Sequence, residues 1–267
     1  NTNIVLDPIL IFGLFGIPKL GIAGAAFATI TGQVVAALLV MKKGFRRSPS
    51  ICKYPEDIRR IYALGIPNII MQATYTFYIF GLNMILAGFS DEAVTALGLY
   101  YKWQTFFFIP LGALQTCIVP IISYAAKSID RCKHTMTVAF IWGIALMFIG
   151  TLCFEFIPDP MLSVFTKDSE VIRIGVQGFR FIGISFIPMV GAQIYPVFLQ
   201  ATGEAFKSSF LTIMRTVFLF VPLGYLFSRF GFVYFWLTFP VTEVITTIVG
   251  FLFYRSFYRQ HKMIVHE

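Results

Sequence analysis

Stretches of apolar residues, most of them about 20 long and separated by short polar connections, follow one another through nearly the whole chain. Blocks this long and this uniform lack the apolar stripe of a helix lying on a water-soluble core, and they match the hydrocarbon thickness of a bilayer. In hydrocarbon every unpaired backbone N–H and C=O is costly, so each block is expected to be a helix. The other spanning solution, a closed barrel, needs alternating segments about 10 residues long, and these are absent. Composition agrees: only 13% of the 267 residues are charged and 57% are hydrophobic, against roughly a quarter charged in a soluble domain. The expected fold class is therefore all-α, a polytopic membrane bundle of about eight transmembrane helices.

The windows place a shortened span at Asn3–Phe15 and seven fuller ones at Ile22–Met41, Ile61–Ala87, Ala96–Ala126, Thr135–Ile157, Val171–Gln200, Phe206–Ser228 and Phe232–Phe257. Basic residues alternate with the spans. Lys42, Lys43, Arg46, Arg47, Lys53, Arg59, Arg60, Lys127, Arg131, Lys133, Lys207, Arg255, Arg259 and Lys262 fall on one side, 14 against the 5 of the opposite loops (Lys19, Lys102, Lys167, Arg173, Arg229). The positive-inside rule makes the richer side, with the C-terminus, cytoplasmic. In a bacterium this is a multi-pass protein of the inner or plasma membrane.

Residues 42–60 form the longest polar segment, with Ser48-Pro49-Ser50 and Tyr54-Pro55, and continue into an amphipathic lead-in from Glu56. A boundary between two helical bundles is expected there: 1–41 as the end of one lobe, 42–60 as a cytoplasmic linker, 61–257 as a six-helix lobe and 258–267 as a tail. A weak repeat supports the division. Leu6-Asp-Pro-Ile-Leu-Ile-Phe-Gly13 precedes the span opened by Gly21, and Phe220-Val-Pro-Leu-Gly-Tyr-Leu-Phe227 precedes the span opened by Gly231; Gln33 and Glu243 each lie 12 residues after those glycines. On this repeat, and with no initiator Met before Asn1, about four helices are expected upstream in the natural protein.

The net charge of +8 comes from short clusters between apolar blocks, with no continuous basic face, which excludes a nucleic-acid partner. The cysteines Cys52, Cys117, Cys132 and Cys153 show no CxxC or Cys/His ligand spacing. No P-loop, HExxH, GxSxG or dinucleotide fingerprint occurs, and His134, His261 and His266 lie in connections or the tail. Neither an enzyme nor a cofactor is expected.

Ionisable residues inside the spans are the functional candidates. Asn3 and Asp7 stand one helical turn apart on one face, and Pro8 lacks the N–H that would bond the Ile4 carbonyl. If that helix ends near Phe15, Asp7 lies roughly 12 Å below the outer surface, at 1.5 Å per residue. An unpaired carboxylate at such depth is relieved by a proton, or by Na⁺ held with neighbouring oxygens; the plainer reading is an interfacial helix end with a simple proline kink. Glu243, mid-way along the last span, either faces a cavity that attracts cations or pairs with Arg215 or Arg180. Gln72, Tyr75, Tyr78, Asn83, Gln104, Gln193 and Tyr195 punctuate the apolar spans and suit either a cavity for flat amphipathic cations or packing between helices. Glu243, Gln33, Gln72, Tyr75, Asn83 and Tyr195 are the candidate cavity residues.

Leu6-Asp-Pro-Ile-Leu-Ile-Phe-Gly13 followed by Leu20-Gly-Ile-Ala-Gly-Ala-Ala-Phe-Ala-Thr29 resembles the fifth and sixth helices of MATE (multidrug and toxic compound extrusion) transporters. Leu64-Gly-Ile-Pro67 looks like the opening of the family's seventh helix. Pro110-Leu-Gly-Ala-Leu-Gln115 with Pro120-Ile-Ile-Ser-Tyr124 is similar to the eighth, and Phe198-Leu-Gln-Ala-Thr-Gly203 to the end of the tenth. The resemblance covers essentially the whole chain and points to the DinF-like, MepA-like bacterial branch. It implies two six-helix lobes, a central cavity, and export of small organic cations or metabolites in exchange for H⁺ or Na⁺. In the DinF-like branch an Asn and an Asp of the fifth helix and a Thr of the sixth belong to the cation site; Asn3, Asp7 and Thr29 match them. An Asp of the first helix that completes that site has no counterpart in this sequence. In the NorM-like branch a Glu of the seventh helix binds the cation, and Tyr75 stands at the matching position, so a cation site in the C-terminal lobe loses its ligand. A lipid-linked saccharide flippase of the same superfamily is the alternative, to be recognised by a cavity of net positive potential; a non-transporting membrane scaffold is the reading from outside transport.

Overall fold

The computed structural model describes residues 2–14, 18–44, 54–125 and 128–264. No strand occurs among them, as the cost of unpaired backbone groups in lipid requires. The helices are α1 (Thr2–Phe12), α2 (Gly21–Gly44), α3 (Tyr54–Ala87), α4 (Asp91–Ala125), α5 (Ile129–Phe156), the short α6 (Pro158–Ser163), α7 (Ser169–Ala201), α8 (Ala205–Ile213), α9 (Val221–Ser228), the single-turn α10 (Phe232–Phe235) and α11 (Thr238–Ile264). A π-helical stretch, Met214–Phe220, joins α8 to α9 without a break.

Six helical segments are long and apolar enough to cross a membrane among the described residues: Gly21–Lys42, Asp91–Tyr124, Asp130–Phe156, Ser169–Ala201, Ala205–Ser228 and Phe232–Arg259. The first and third expected spans are represented by shorter apolar stretches, Thr2–Phe12 and Ala73–Ala87. The chain is a multi-pass membrane protein. Its outward faces carry large apolar side chains, among them Ile22, Phe77, Phe148 and Phe206, which lipid can solvate and water cannot. The last helix runs on past Phe257 to Ile264, beyond the end expected from hydropathy. Arg255, Arg259 and Lys262 lower the hydropathy there, yet they are good helix formers, and cations favour a helix C-terminus.

The chain divides into two units, Asn1–Tyr62 and Ala63–Glu267. Most of the expected linker, residues 45–53, lies outside the described residues. In unit 1, α1 and α2 form an antiparallel helical hairpin. Leu20 N donates to Leu10 O at 3.1 Å, and Asn3 meets Thr29 and Gly32 at the far end. The helices approach closely because Gly24 has no side chain: a Cβ there would fall on the Leu10 carbonyl.

In unit 2, α7 is the central element and packs against α4, α5, α6, α8 and α11. Phe179, Ile182, Phe186, Met189, Val190, Ile194 and Phe198 along it are fully or almost fully buried. Small residues set the spacing to α11. A Cβ on Gly191 would collide with the Thr247 methyl, and Thr247 Oγ1 donates to Pro188 O at 2.5 Å. Ser208 Oγ likewise donates to Pro196 O at 2.8 Å, so hydroxyls tie the helices together where lipid offers no hydrophobic drive.

Candidate functional site

Unit 1 brings Asn3, Asp7 and Thr29 together. Pro8 sits inside α1 without breaking it, which keeps Asn3 and Asp7 in helical register on one face. The Asn3 amide faces Asp7 with its nitrogen: Nδ2 donates to Asp7 Oδ2 and, at 3.2 Å, to Oδ1, while the amide oxygen lies 3.2 Å from Thr29 Oγ1. Thr29 Oγ1 is also 2.9 Å from Ala25 O, so its one proton is shared between two acceptors. The result is a carboxylate, an amide oxygen, a hydroxyl and a backbone carbonyl within one turn of each helix. Hard cations and protons are bound by oxygen sets of this kind.

A groove of about 560 Å³ opens beside the cluster, lined among others by Thr2, Asn3, Thr29, Gly32, Gln33 and Leu39. Thr29 and Gln33 share one face of α2, four residues apart, so both present polar groups to it. Asp7 is half-buried and is not part of the groove wall; it reaches the groove through the Asn3 amide.

Unit 2 holds a second cavity, about 310 Å³, lined by Tyr75, Tyr78, Gln104, Phe108, Gln193 and Arg215 with Thr105 and Ile109. Tyr75 and Tyr78 form its aromatic wall, with ring centroids 5.2 Å apart, and Tyr78 packs on Phe220 at 4.9 Å. Arg215 lies on the π-helical stretch, a wider winding that recurs at functional positions. Its Nε bonds Glu243 Oε2 at 2.9 Å and Oε1 at 3.2 Å, and its Nη2 bonds Oε1 at 2.5 Å. Glu243 is completely buried, whereas the Arg215 side chain keeps 11% exposure, and its guanidinium also lies 5.3 Å from the Phe220 ring centre.

The expected cavity residues separate accordingly. Gln33 lines the groove of unit 1 and Tyr75 the cavity of unit 2. Glu243 does not line the cavity, because both carboxylate oxygens are taken by Arg215; of the two roles open to it, pairing is the one observed. Asn83 bonds the Ile79 carbonyl one turn back, at 2.9 Å, and stays off both walls. Tyr195 is 8% exposed and packs among Phe140, Phe251 and Tyr254, so it serves the core between helices. The Gln72 side chain lies outside the described residues. Arg180, the other candidate partner, is exposed. Arg215, expected as a partner of Glu243, also lines the cavity; a cation inside an apolar span is the signal for it.

The known proteins agree with this fold. Residues 67–226 match the family model described as MatE. The multidrug export protein MepA of Staphylococcus aureus (strain bovine RF122 / ET3-1) is 26% identical over 239 residues, which cover 86% of this chain and 52% of that protein. MepA of Staphylococcus saprophyticus is 24% identical over 243 residues, with the same coverage of 86% and 52%. The chain thus spans about half the length of the curated relatives it matches. Among solved structures, a MOP superfamily transporter from Pyrococcus furiosus, described as having a binding pocket of reversed polarity, superimposes with a TM-score of 0.83 at 22% identity, over 96% of this chain and 59% of that one. An outward-facing multidrug resistance MATE family transporter gives a TM-score of 0.83 at 21% identity, over 96% and 59%. These likenesses carry the fold, and the family match covers more than half of the chain: it belongs to the MatE family of multidrug and toxic compound extrusion transporters.

Proposed function

We propose that this chain is part of a secondary active antiporter that exports amphipathic or cationic small molecules in exchange for H⁺ or Na⁺, by alternating access of two lobes. The observation that carries the reading is the Asn3–Asp7–Thr29 cluster, a carboxylate and its oxygen neighbours set in an apolar hairpin beside a polar groove. Binding a proton or Na⁺ there removes a negative charge from a low-dielectric setting. The resulting change in free energy biases the protein toward one facing state. The multidrug export proteins among its relatives support drug-like cargo, and the positive-inside bias supports a cytoplasmic side for the basic connections and the C-terminus.

The saccharide-flippase alternative asks for a cavity of net positive charge. Among the described residues that line the cavity beside Tyr75 and Tyr78, Arg215 is the one formal cation, and Glu243 balances it. A scaffold has no use for a carboxylate buried with an arginine or held by an amide inside apolar helices, since such groups cost stability.

The test is transport by the full-length protein in liposomes. An imposed proton or Na⁺ gradient should drive ethidium efflux, and Asp7→Asn should abolish the gradient-driven component. Undiminished gradient-driven efflux by Asp7→Asn would reject the assigned role.

A further inference from the structure

Unit 2 has a further cavity, about 750 Å³, between the end of α4 and the start of α5. The candidate spans Asp91–Tyr124 and Asp130–Phe156 end there, on the side of the basic connections, so it lies at the level where hydrocarbon gives way to lipid headgroups. Its α4 wall is apolar and open: Pro120, Ile121 and Tyr124, the last two 51% and 87% exposed. Its α5 wall is polar. Asp130 and His134 stand one turn apart, as do Arg131 and Thr135, so a carboxylate, a guanidinium and an imidazole share one strip of helix. None of these three side chains has a hydrogen bond or ion pair among the described residues. Thr135, by contrast, is satisfied within its own turn and donates to the Arg131 carbonyl at 2.9 Å.

We propose that this cavity is a phospholipid site selective for a zwitterionic headgroup with a primary ammonium, that of phosphatidylethanolamine. The Arg131 guanidinium offers a planar fork of donors to two phosphate oxygens, and a ring N–H of His134 adds another. The ammonium donates to the Asp130 carboxylate. Ile121, Pro120 and the Tyr124 ring border the first methylenes of an acyl chain, as aromatic and apolar groups do at a membrane interface. The wall carries one formal positive and one formal negative charge, which complement those of this headgroup. A purely anionic headgroup leaves Asp130 facing a like charge, and a trimethylammonium has no proton to donate to it. The site shares no residue with the groove beside Asn3 or the cavity beside Tyr75, so it does not depend on the exporter reading.

The test titrates the full-length protein, delipidated in detergent, with phosphatidylethanolamine, phosphatidylcholine or phosphatidylglycerol of identical acyl chains, and native mass spectrometry reads the bound lipid. We expect one phosphatidylethanolamine to bind severalfold more tightly than either of the others. Arg131→Gln should lower its affinity about tenfold, the equivalent of about 1.4 kcal/mol. Asp130→Asn should erase the preference over phosphatidylglycerol, a change of selectivity that a merely structural role would not produce. Lys133→Gln removes the same charge from a side chain that lies over the Tyr258 ring, outside the cavity, and should change nothing. All three positions are exposed, so the variants leave the packed core as it is. Equal binding of the three lipids, or an equal loss in Lys133→Gln and Arg131→Gln, would overturn the proposal. Displacement of the lipid by free phosphoethanolamine at matched concentration would overturn it too, by showing a site for the headgroup alone.

Discussion

Arg215 and Glu243 form a bidentate ion pair across the membrane-embedded part of unit 2, and the carboxylate has no exposed surface at all. Taking two charges out of water is expensive, so the pair adds little net stability over a well-packed apolar one, but breaking it leaves an uncompensated charge. Glu243→Ala is therefore expected to cost about 3–5 kcal/mol. The Arg215→Gln/Glu243→Gln pair should lose clearly less. Chemical unfolding in detergent measures both; equal losses would show that the cost lies in packing and not in the stranded guanidinium.

Gly24 lets α1 and α2 touch, and a methyl there would occupy the position of the Leu10 carbonyl. Backbone cannot move aside like a long side chain, so Gly24→Ala must push the hairpin apart, at about 1–3 kcal/mol for overpacking. The displacement should reach the Asn3–Thr29 contact at the other end and weaken gradient-driven efflux severalfold. Gly21→Ala makes a useful comparison, since space is open around that position and its strain is purely backbone, at φ 54°.

The hydroxyl of Thr29 is the one oxygen in the cluster that α2 supplies from a side chain. Thr29→Val keeps the shape and deletes it; Thr29→Ser keeps the oxygen. A hydrogen bond of about 0.5–1.5 kcal/mol corresponds to a rise of two- to roughly tenfold in the half-saturating cation concentration for Val and little change for Ser. Efflux rate against Na⁺ or proton concentration measures it. Equal behaviour of the two variants would remove Thr29 from the site.

Between α7 and α11 the fit is set by Gly191 against Thr247. Gly191→Ala is expected to lower stability by about 1–3 kcal/mol. Thr247→Ala in the same chain should recover part of it by vacating the space, which the same unfolding measurement resolves.

Much of this architecture could be read from the chain because lipid leaves the backbone few choices. Apolar length and the cost of unpaired peptide groups fixed helices at nearly every expected span. Asn3 and Asp7 were legible as polar groups one turn apart in apolar surroundings, whereas Thr29 entered only through the family resemblance. Interior faces were not legible in this way. Residues that face lipid and residues that face other helices are equally apolar, so hydropathy has no period from which to tell the Tyr195 cluster from a cavity wall. Asn83 was misleading because its amide can satisfy itself on the Ile79 carbonyl without any neighbour. Glu243 admitted two outcomes until the position of Arg215 was known, and the π-helical turn that sets that position has no local sequence signature.

If Asp7 holds the cation exchanged for cargo, drug binding must release that cation. Purified full-length protein in weakly buffered detergent solution, with a pH indicator or a Na⁺ electrode, is mixed with ethidium. The native protein should release H⁺ or Na⁺ in proportion to the drug bound, and Asp7→Asn should release none. Undiminished release from Asp7→Asn would contradict it.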